Sequence, residues 1–229
     1  MFQEANDAKD QWFLERWTKF TASENYKLLS NGVKGSIFGD SAWKYIKQKA
    51  FEMSSVMWER PELEEAKALM HGKMYEYPAY EAYINVTKNY SMQYLGSDTP
   101  VFLPYEPLKK ESGGSPDIIN RNSSGKIDAG AEIKCPKNPI NHFDRLKWKD
   151  QWDIKENYHS CYVQMQNLML ITTADIWQFI SFDERMKNKR LQTKIIDVLP
   201  DKRMQDSLHI RLFKAVEEKY KVFDEYTNG

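Results

Sequence analysis

Three side chains in one short stretch could together cut a phosphodiester. In SPDIINRNSSGKIDAGAEIKCP (115–136), Asp117 follows a turn signal, and Glu132 and Lys134 lie two residues apart. Residues two apart on a strand share a face, with about 7 Å between them along the strand. Ala131, Ile133 and Cys135 interleave with the charged pair, so the opposite face of such a strand is buried. If 115–119 and 129–134 pair as a hairpin, Asp117 comes to lie beside Glu132. Two carboxylates at one point repel unless a proton or cation sits between them. Mg²⁺ suits that place, because it takes oxygen ligands and keeps several waters. A lysine next to the ion can hold or deprotonate the attacking water, and the assembly suits in-line hydrolysis of a phosphodiester. By spacing alone, the same residues also fit a surface hairpin with one ordinary ion pair.

The rest of the chain must position these groups. Its 229 residues are 41% hydrophobic and 29% charged, which fits a globular protein with a full core. No internal repeat or linker interrupts it, so one domain over 1–229 is the simplest organisation. Residues 8–19 are amphipathic. Thr21 and Glu24 form a capping-box pattern that predicts a helix start. Further helices are expected from Asp40 or Ser41 and from Pro61, the latter bent or broken near Gly72 and Pro78. Short strands are expected at 99–106, 115–119 and 129–136, with 120–125 as a polar turn. Helices at 138–150 and 155–170, strands at 175–183 and 193–200, and a closing amphipathic helix follow. Trp148 and Trp152, spaced i, i+4, read as core. This order predicts an α/β (α+β) domain with a mixed central β-sheet flanked by helices.

Several function classes are disfavoured. No apolar run approaches the roughly 20 residues of a membrane span, and the polar N-terminus does not read as a signal peptide. The two cysteines, Cys135 and Cys161, form neither a disulfide framework nor a zinc pattern, and reduced thiols suit a cytoplasmic protein. The four histidines are scattered, which argues against a zinc enzyme. Net charge is zero, yet RMKNKRLQTK (185–194) holds five cations and no anion. That run fits a solvated loop or a phosphate-contacting edge.

SPD and EIKCP resemble the central motif of the PD-(D/E)xK nucleases. More specifically, the chain resembles the lambda-exonuclease-like (YqaJ-type) viral recombination nucleases. ERWTKFTASE (15–24), HGKMYE (71–76), YVQMQNLM (162–169) and FDERMK (182–187) resemble that family's further elements, in the same order. The family commonly has Gly after SPD, where this chain has Ile118. The resemblance implies a restriction-endonuclease-like core. It implies that Asp117 and Glu132 ligate Mg²⁺ (with Mn²⁺ as a substitute), helped by the carbonyl of Ile133. Lys134 would orient or activate the water. Glu76 would add an acidic contact near the metal, and Gln164 would hydrogen-bond near Lys134, with Gln166 the alternative for the inward position. Arg16 and Ser23 would hold a DNA phosphate, at a 5′ end. An iron–sulfur cluster, which the wider superfamily can carry on four cysteines, is not expected with two.

The activity so implied is exonucleolytic. One strand of linear double-stranded DNA would be degraded 5′→3′, leaving 3′ overhangs for phage-type recombination. A ring-like homo-oligomer such as a trimer, and a single-strand annealing protein as partner, are implied as well, with no membrane association. The place of action would be the cytoplasm, of a bacterial host if the chain is viral. An endonuclease or junction-cleaving relative, or a catalytically inactive nuclease-like DNA-binding protein, are the alternatives.

Overall fold

The computed structural model of the chain describes residues 8–33, 35–56, 65–96 and 100–228. In order, the elements are α1 (Ala8–Arg16), β1 (Phe20–Thr21), a 3₁₀ turn (Asn25–Leu29), α2 (Asp40–Ser54), α3 (Glu65–Thr87), β2 (Gln93–Tyr94), β3 (Leu103–Pro104), β4 (Ser112–Gly114), β5 (Ile118–Arg121) and β6 (Ile127–Lys134). Then come α4 (Pro139–Arg145), α5 (Gln151–Asn157), α6 (His159–Thr172), β7 (Ile176–Phe182), β8 (Thr193–Val198) and α7 (Lys202–Thr227). Five strands form one sheet in the order β2-β5-β6-β7-β8, and a small second sheet runs β1-β4-β3. In the large sheet β6 and β7 are parallel, and the other neighbours are antiparallel. The sheet is therefore mixed and flanked by helices, as the order of elements predicts.

Alternation along the strands divides the core. Ile119, Trp177 and Phe179 pack with Cys161, Tyr162, Met165 and Leu168 of α6. Ile118, Ala131, Ile133, Cys135, Ile180 and Phe182 pack on the other face with Ala79 and Tyr83 of α3. Ile118 is fully buried there, so the residue after Asp117 serves the α3-side core. A third cluster joins Phe20, Leu28, Tyr45, Ile46, Leu212 and Ala215 around the small sheet. Gly130 sits over the indole of Trp177 on the parallel neighbour. A Cβ at Gly130 would meet Trp177 Cη2 at 2.3 Å, too close for any side chain.

Local expectations change where long-range pairing outweighs them. Thr21 does not cap a helix: it is drawn into β1, with its N–H on the Tyr45 hydroxyl at 3.0 Å. The turn that follows is 3₁₀ and starts at Glu24 without a side-chain cap. Gly39, rather than Asp40 or Ser41, takes the N-cap of α2. The helix start expected at Pro61 lies outside the described residues. Pro78 does not break α3, because Ala79 and Tyr83 hold the helix to the sheet on its C-terminal side. Of the strand expected at 99–106, residue 99 lies outside the described residues, and within 100–106 only Leu103–Pro104 is strand, in the small sheet. Trp148 packs against the α6-side core, but Trp152 is 54% exposed, with the Lys155 ammonium over its ring. The short α5 turns Ile154 into that core and leaves Trp152 on its outer side.

Candidate active site

β6 carries alternate residues into two environments. Ala131, Ile133 and Cys135 enter the α3-side core, while Glu132 and Lys134 project towards α6 and meet Gln164. The antiparallel register Ile118↔Ala131, carried one residue outwards, sets Asp117 opposite Glu132. Asp117 is fixed at both ends. Its carbonyl accepts from Leu95 N–H at 2.8 Å, and its Oδ2 accepts from Ile133 N–H at 2.7 Å.

Glu132 is 2% exposed. Its Oε1 accepts from Lys134 Nζ at 2.6 Å and from Gln164 Nε2 at 2.7 Å. Gln164 Oε1 in turn accepts from Lys134 Nζ at 3.4 Å, which closes a triangle. Gln164 is thus the inward glutamine. Gln166 turns the other way, donating to Leu199 O and accepting from Asp201 N–H, and so ties α6 to the β8–α7 junction. Glu132 Oε2 is buried without a hydrogen-bond partner, the only carboxylate oxygen so left among the described residues. A buried unpaired acceptor is costly, more so when it carries charge. That atom is chemically suited to a cation or a proton.

The electrostatics agree. Burial, then the nearby Glu132 and Glu76, push the Asp117 carboxyl well above its usual range, against Lys134 and the Ile133 N–H. Glu76, on α3, is also raised by burial. The Tyr94 hydroxyl, donating to Glu76 Oε1 at 3.2 Å, opposes that shift, and the charge of Glu132 adds to it. For Lys134, burial disfavours the charged form. The field of Glu132, with smaller help from Cys161, Tyr158 and Asp117, overrides it and holds the ammonium well above its ordinary pKa. Three carboxylates therefore share one field with one lysine. This is the pattern expected of a site built to receive positive charge. Among the described residues, no three His, Cys, Asp or Glu groups are arranged to hold a metal ion by themselves. The Asp117–Glu132 pair with the free Oε2 fits Mg²⁺, which takes few protein ligands and fills its shell with water. Glu76 adds negative field from the side.

Arg16, the last residue of α1, reaches the same strand entrance. Its Nη1 donates to Ser115 Oγ at 3.4 Å, and its guanidinium lies 4.2 Å from the Trp12 ring centroid. Trp12 Nε1 donates to the same Ser115 Oγ at 2.7 Å. Burial lowers the Arg16 pKa, with Tyr45 and Glu24 opposing. β1 pairs with β4 in parallel as Thr21↔Gly113, and this register continued two residues brings Ser23 level with Ser115. Among the described residues the Ser23 hydroxyl makes one long contact, to Thr21 Oγ1 at 3.4 Å. Sequence reasoning missed the parts of Ser115, Trp12 and Tyr94. The i, i+4 spacing of Trp12 and Arg16 on one helix was the available signal for Trp12. Tyr94 left none, because its strand is only two residues long.

Among the described residues neither cysteine hydrogen-bonds to Asp117, Glu132 or Lys134. Cys135 lies in the α3-side core and Cys161 in the α6-side core, and burial pushes both thiols up to about 12.

Comparison with known proteins follows the same lines. An alkaline exonuclease (LHK-Exo) from Laribacter hongkongensis superimposes with a TM-score of 0.76 at 19% identity over 96% of each chain. Its complex with dAMP gives 0.72 at 18% identity, again over 96% of both. A phage related exonuclease from Haemophilus somnus 129PT gives 0.65 at 17% identity, over 91% of this chain and 96% of that one. At such identities the likeness concerns the fold, a restriction-endonuclease-like core. No curated protein matches. A model of the YqaJ-like viral recombinase domain matches residues 11–175, a segment that runs from α1 through α6 and takes in the whole site. The chain belongs to the YqaJ-like viral recombinase family.

Proposed function

We propose that this protein is a Mg²⁺-dependent exonuclease that degrades one strand of linear double-stranded DNA from its 5′ end. The observation that carries the reading is the Glu132 carboxylate. One oxygen is gripped by Lys134 and Gln164, and the other is buried and bare, on a residue that the strand register sets opposite Asp117. When bound, Mg²⁺ would neutralise these carboxylates, polarise the scissile phosphate and make nearby water a better nucleophile. Asp117, Glu132 and the Ile133 carbonyl would hold the ion, with Mn²⁺ as a substitute, and Glu76 would add charge beside it.

The chain's own groups do the positioning. An ammonium has three N–H donors. Lys134 uses two, on Glu132 and Gln164, which leaves one for the attacking water or a phosphate oxygen. That third N–H lets Lys134 orient or activate the nucleophilic water. Gln164 fixes both Lys134 and Glu132 and so sets the direction of that donor. Arg16, which reaches Ser115, and Ser23 would grip a terminal 5′-phosphate, where Arg offers fork geometry. The whole chain acts as one nuclease domain on this reading. The 3′ overhang would feed recombination with a single-strand annealing protein, and a ring of subunits such as a trimer would keep the enzyme on its duplex.

The experiment compares linear and covalently closed duplexes in Mg²⁺. Linear DNA is degraded progressively, and closed circles survive. Equal loss of closed circles would replace the exonuclease reading with an endonuclease one. No cleavage of either would leave a DNA-binding protein.

A further inference from the structure

The cationic stretch after β7 has no part in the site described above, yet its backbone is tightly fastened. Asp183 N–H donates to Gln192 O at 2.9 Å, closing the segment as a loop. The Gln192 side chain donates to Glu184 O at 2.9 Å and Met186 O at 3.0 Å. Fully buried His142 binds Leu191 O through Nε2 at 2.8 Å and Ser181 Oγ through Nδ1 at 2.9 Å. Since a carbonyl only accepts, Nε2 carries the proton. Asn188 Oδ1 accepts from Arg190 N–H at 3.1 Å and caps the short 3₁₀ turn Lys189–Leu191.

Arg185 is spent on this scaffold. Its guanidinium makes two 2.7 Å bonds to the Asp183 carboxylate and reaches Pro136 O and Lys137 O at 3.0 Å. Pro136 and Lys137 directly follow β6, and Lys134 is level with Ser181 in the sheet. The loop is therefore clamped to the strand end that carries the catalytic lysine. Lys137, Lys187, Lys189 and Arg190 are exposed, and none forms an ion pair among the described residues. Glu184, the exposed acid beside them, is engaged by the Tyr75 hydroxyl.

A fixed loop that spends its one acid-bonded arginine on structure and leaves three cations outward, with Lys137 of the adjoining strand end beside them, is built for a repeating anion. We propose that Lys137, Lys187, Lys189 and Arg190 form a rail for the phosphates of duplex DNA next to the cleavage site, contacting backbone without reading sequence. This rests on the nuclease reading above. It assigns the rail the job of retaining the duplex between cuts.

The test is the salt dependence of binding to a blunt linear duplex in Ca²⁺, with K187Q/K189Q/R190Q against a control of equal charge change. The control is K202Q/K214Q/K221Q on α7, where each lysine pairs with a neighbouring acid. Each lost phosphate contact should flatten the log–log salt slope by about 0.9, so the rail variant should lose about 2.7. Between 50 and 200 mM salt, wild type then loses about 40-fold more affinity than the rail variant. The control keeps the wild-type slope, and both variants keep the wild-type melting temperature. Equal slopes in all three proteins, or an equal drop in both variants, overturn the rail. Cleavage by wild type is scored separately. A rail-dependent slope without any cleavage would sink the nuclease reading and leave the rail standing.

Discussion

Two lysine–glutamate pairs with buried carboxylates look alike in this molecule and differ in what their second oxygen meets. On α2, Lys49 Nζ meets Glu52 Oε2 at 2.8 Å, and Thr18 N–H adds to the same oxygen at 3.0 Å. Gln48 supplies Glu52 Oε1 at 3.0 Å, so the carboxylate is satisfied on both sides. On β6, Lys134 and Gln164 both crowd Glu132 Oε1, and Oε2 has nothing. The fields differ too. Burial wins over Glu52 and lowers the Lys49 pKa, whereas Glu132 and its neighbours win over burial and raise that of Lys134. The closed pair is a brace. It pins Thr18, which adopts a left-handed backbone at φ 66°, two residues after Arg16. The open pair is a receptor for positive charge. A lysine–glutamate bridge thus says little until the partners of every oxygen are counted.

Breaking each pair should separate the two roles. Lys134→Ala should lower single-turnover cleavage by about 10³-fold, within the range for a positioned proton-bearing group, with duplex affinity retained. Cleavage at the wild-type rate would remove Lys134 from the chemistry. Lys49→Met should cost about 3 kcal/mol in denaturant unfolding, the penalty for stranding a buried charge. The folded fraction should still cut within about twofold of wild type at saturating DNA. A stable but inactive Lys49→Met would mean that the brace takes part in catalysis. Gln164→Ala should reduce kcat by about 10–100-fold, as loss of a supporting hydrogen bond does in metal sites. An effect confined to KM would place Gln164 in substrate binding.

The smallest effect has the opposite sign. The Asp117 pKa is raised in the folded chain, so without metal its contribution to stability is full at low pH and fades as pH climbs through the folded-state value. Asp117→Asn should therefore raise Tm by a few degrees in EDTA above neutral pH, while it abolishes cleavage. A lower Tm would show that the carboxylate is structural. Wild type should gain Tm from Mg²⁺, and more at pH 8 than at pH 5.

β6 is legible in the sequence because period-two alternation is a local signal. Ala131, Ile133 and Cys135 against Glu132 and Lys134 mark both of its faces from residue order alone. The same order cannot choose between Gln164 and Gln166, since on a helix two residues apart either can face inward, and where β8 and α7 dock decides it. Thr21 is misleading, because its local capping pattern loses to parallel pairing with Gly113. β4 escapes notice, because Ser112–Gly114 carries no apolar alternation and exists only through its neighbours. Ile118 is opaque for the same reason. Its role depends on α3, which packs from far away in sequence.

The close approach of Gly130 to Trp177 bears on how this chain can go wrong. A strand that alternates core and chemistry is a two-sided key, and sliding it by one notch would drive Glu132 and Lys134 into oil and turn Ala131 and Ile133 outwards. Only a residue without a Cβ fits over the indole, so the ring acts as a ward that accepts the key at one depth. Gly130→Ala should therefore push β6 out of register or off its neighbour, and it would damage the enzyme by misplacing residues it leaves chemically intact.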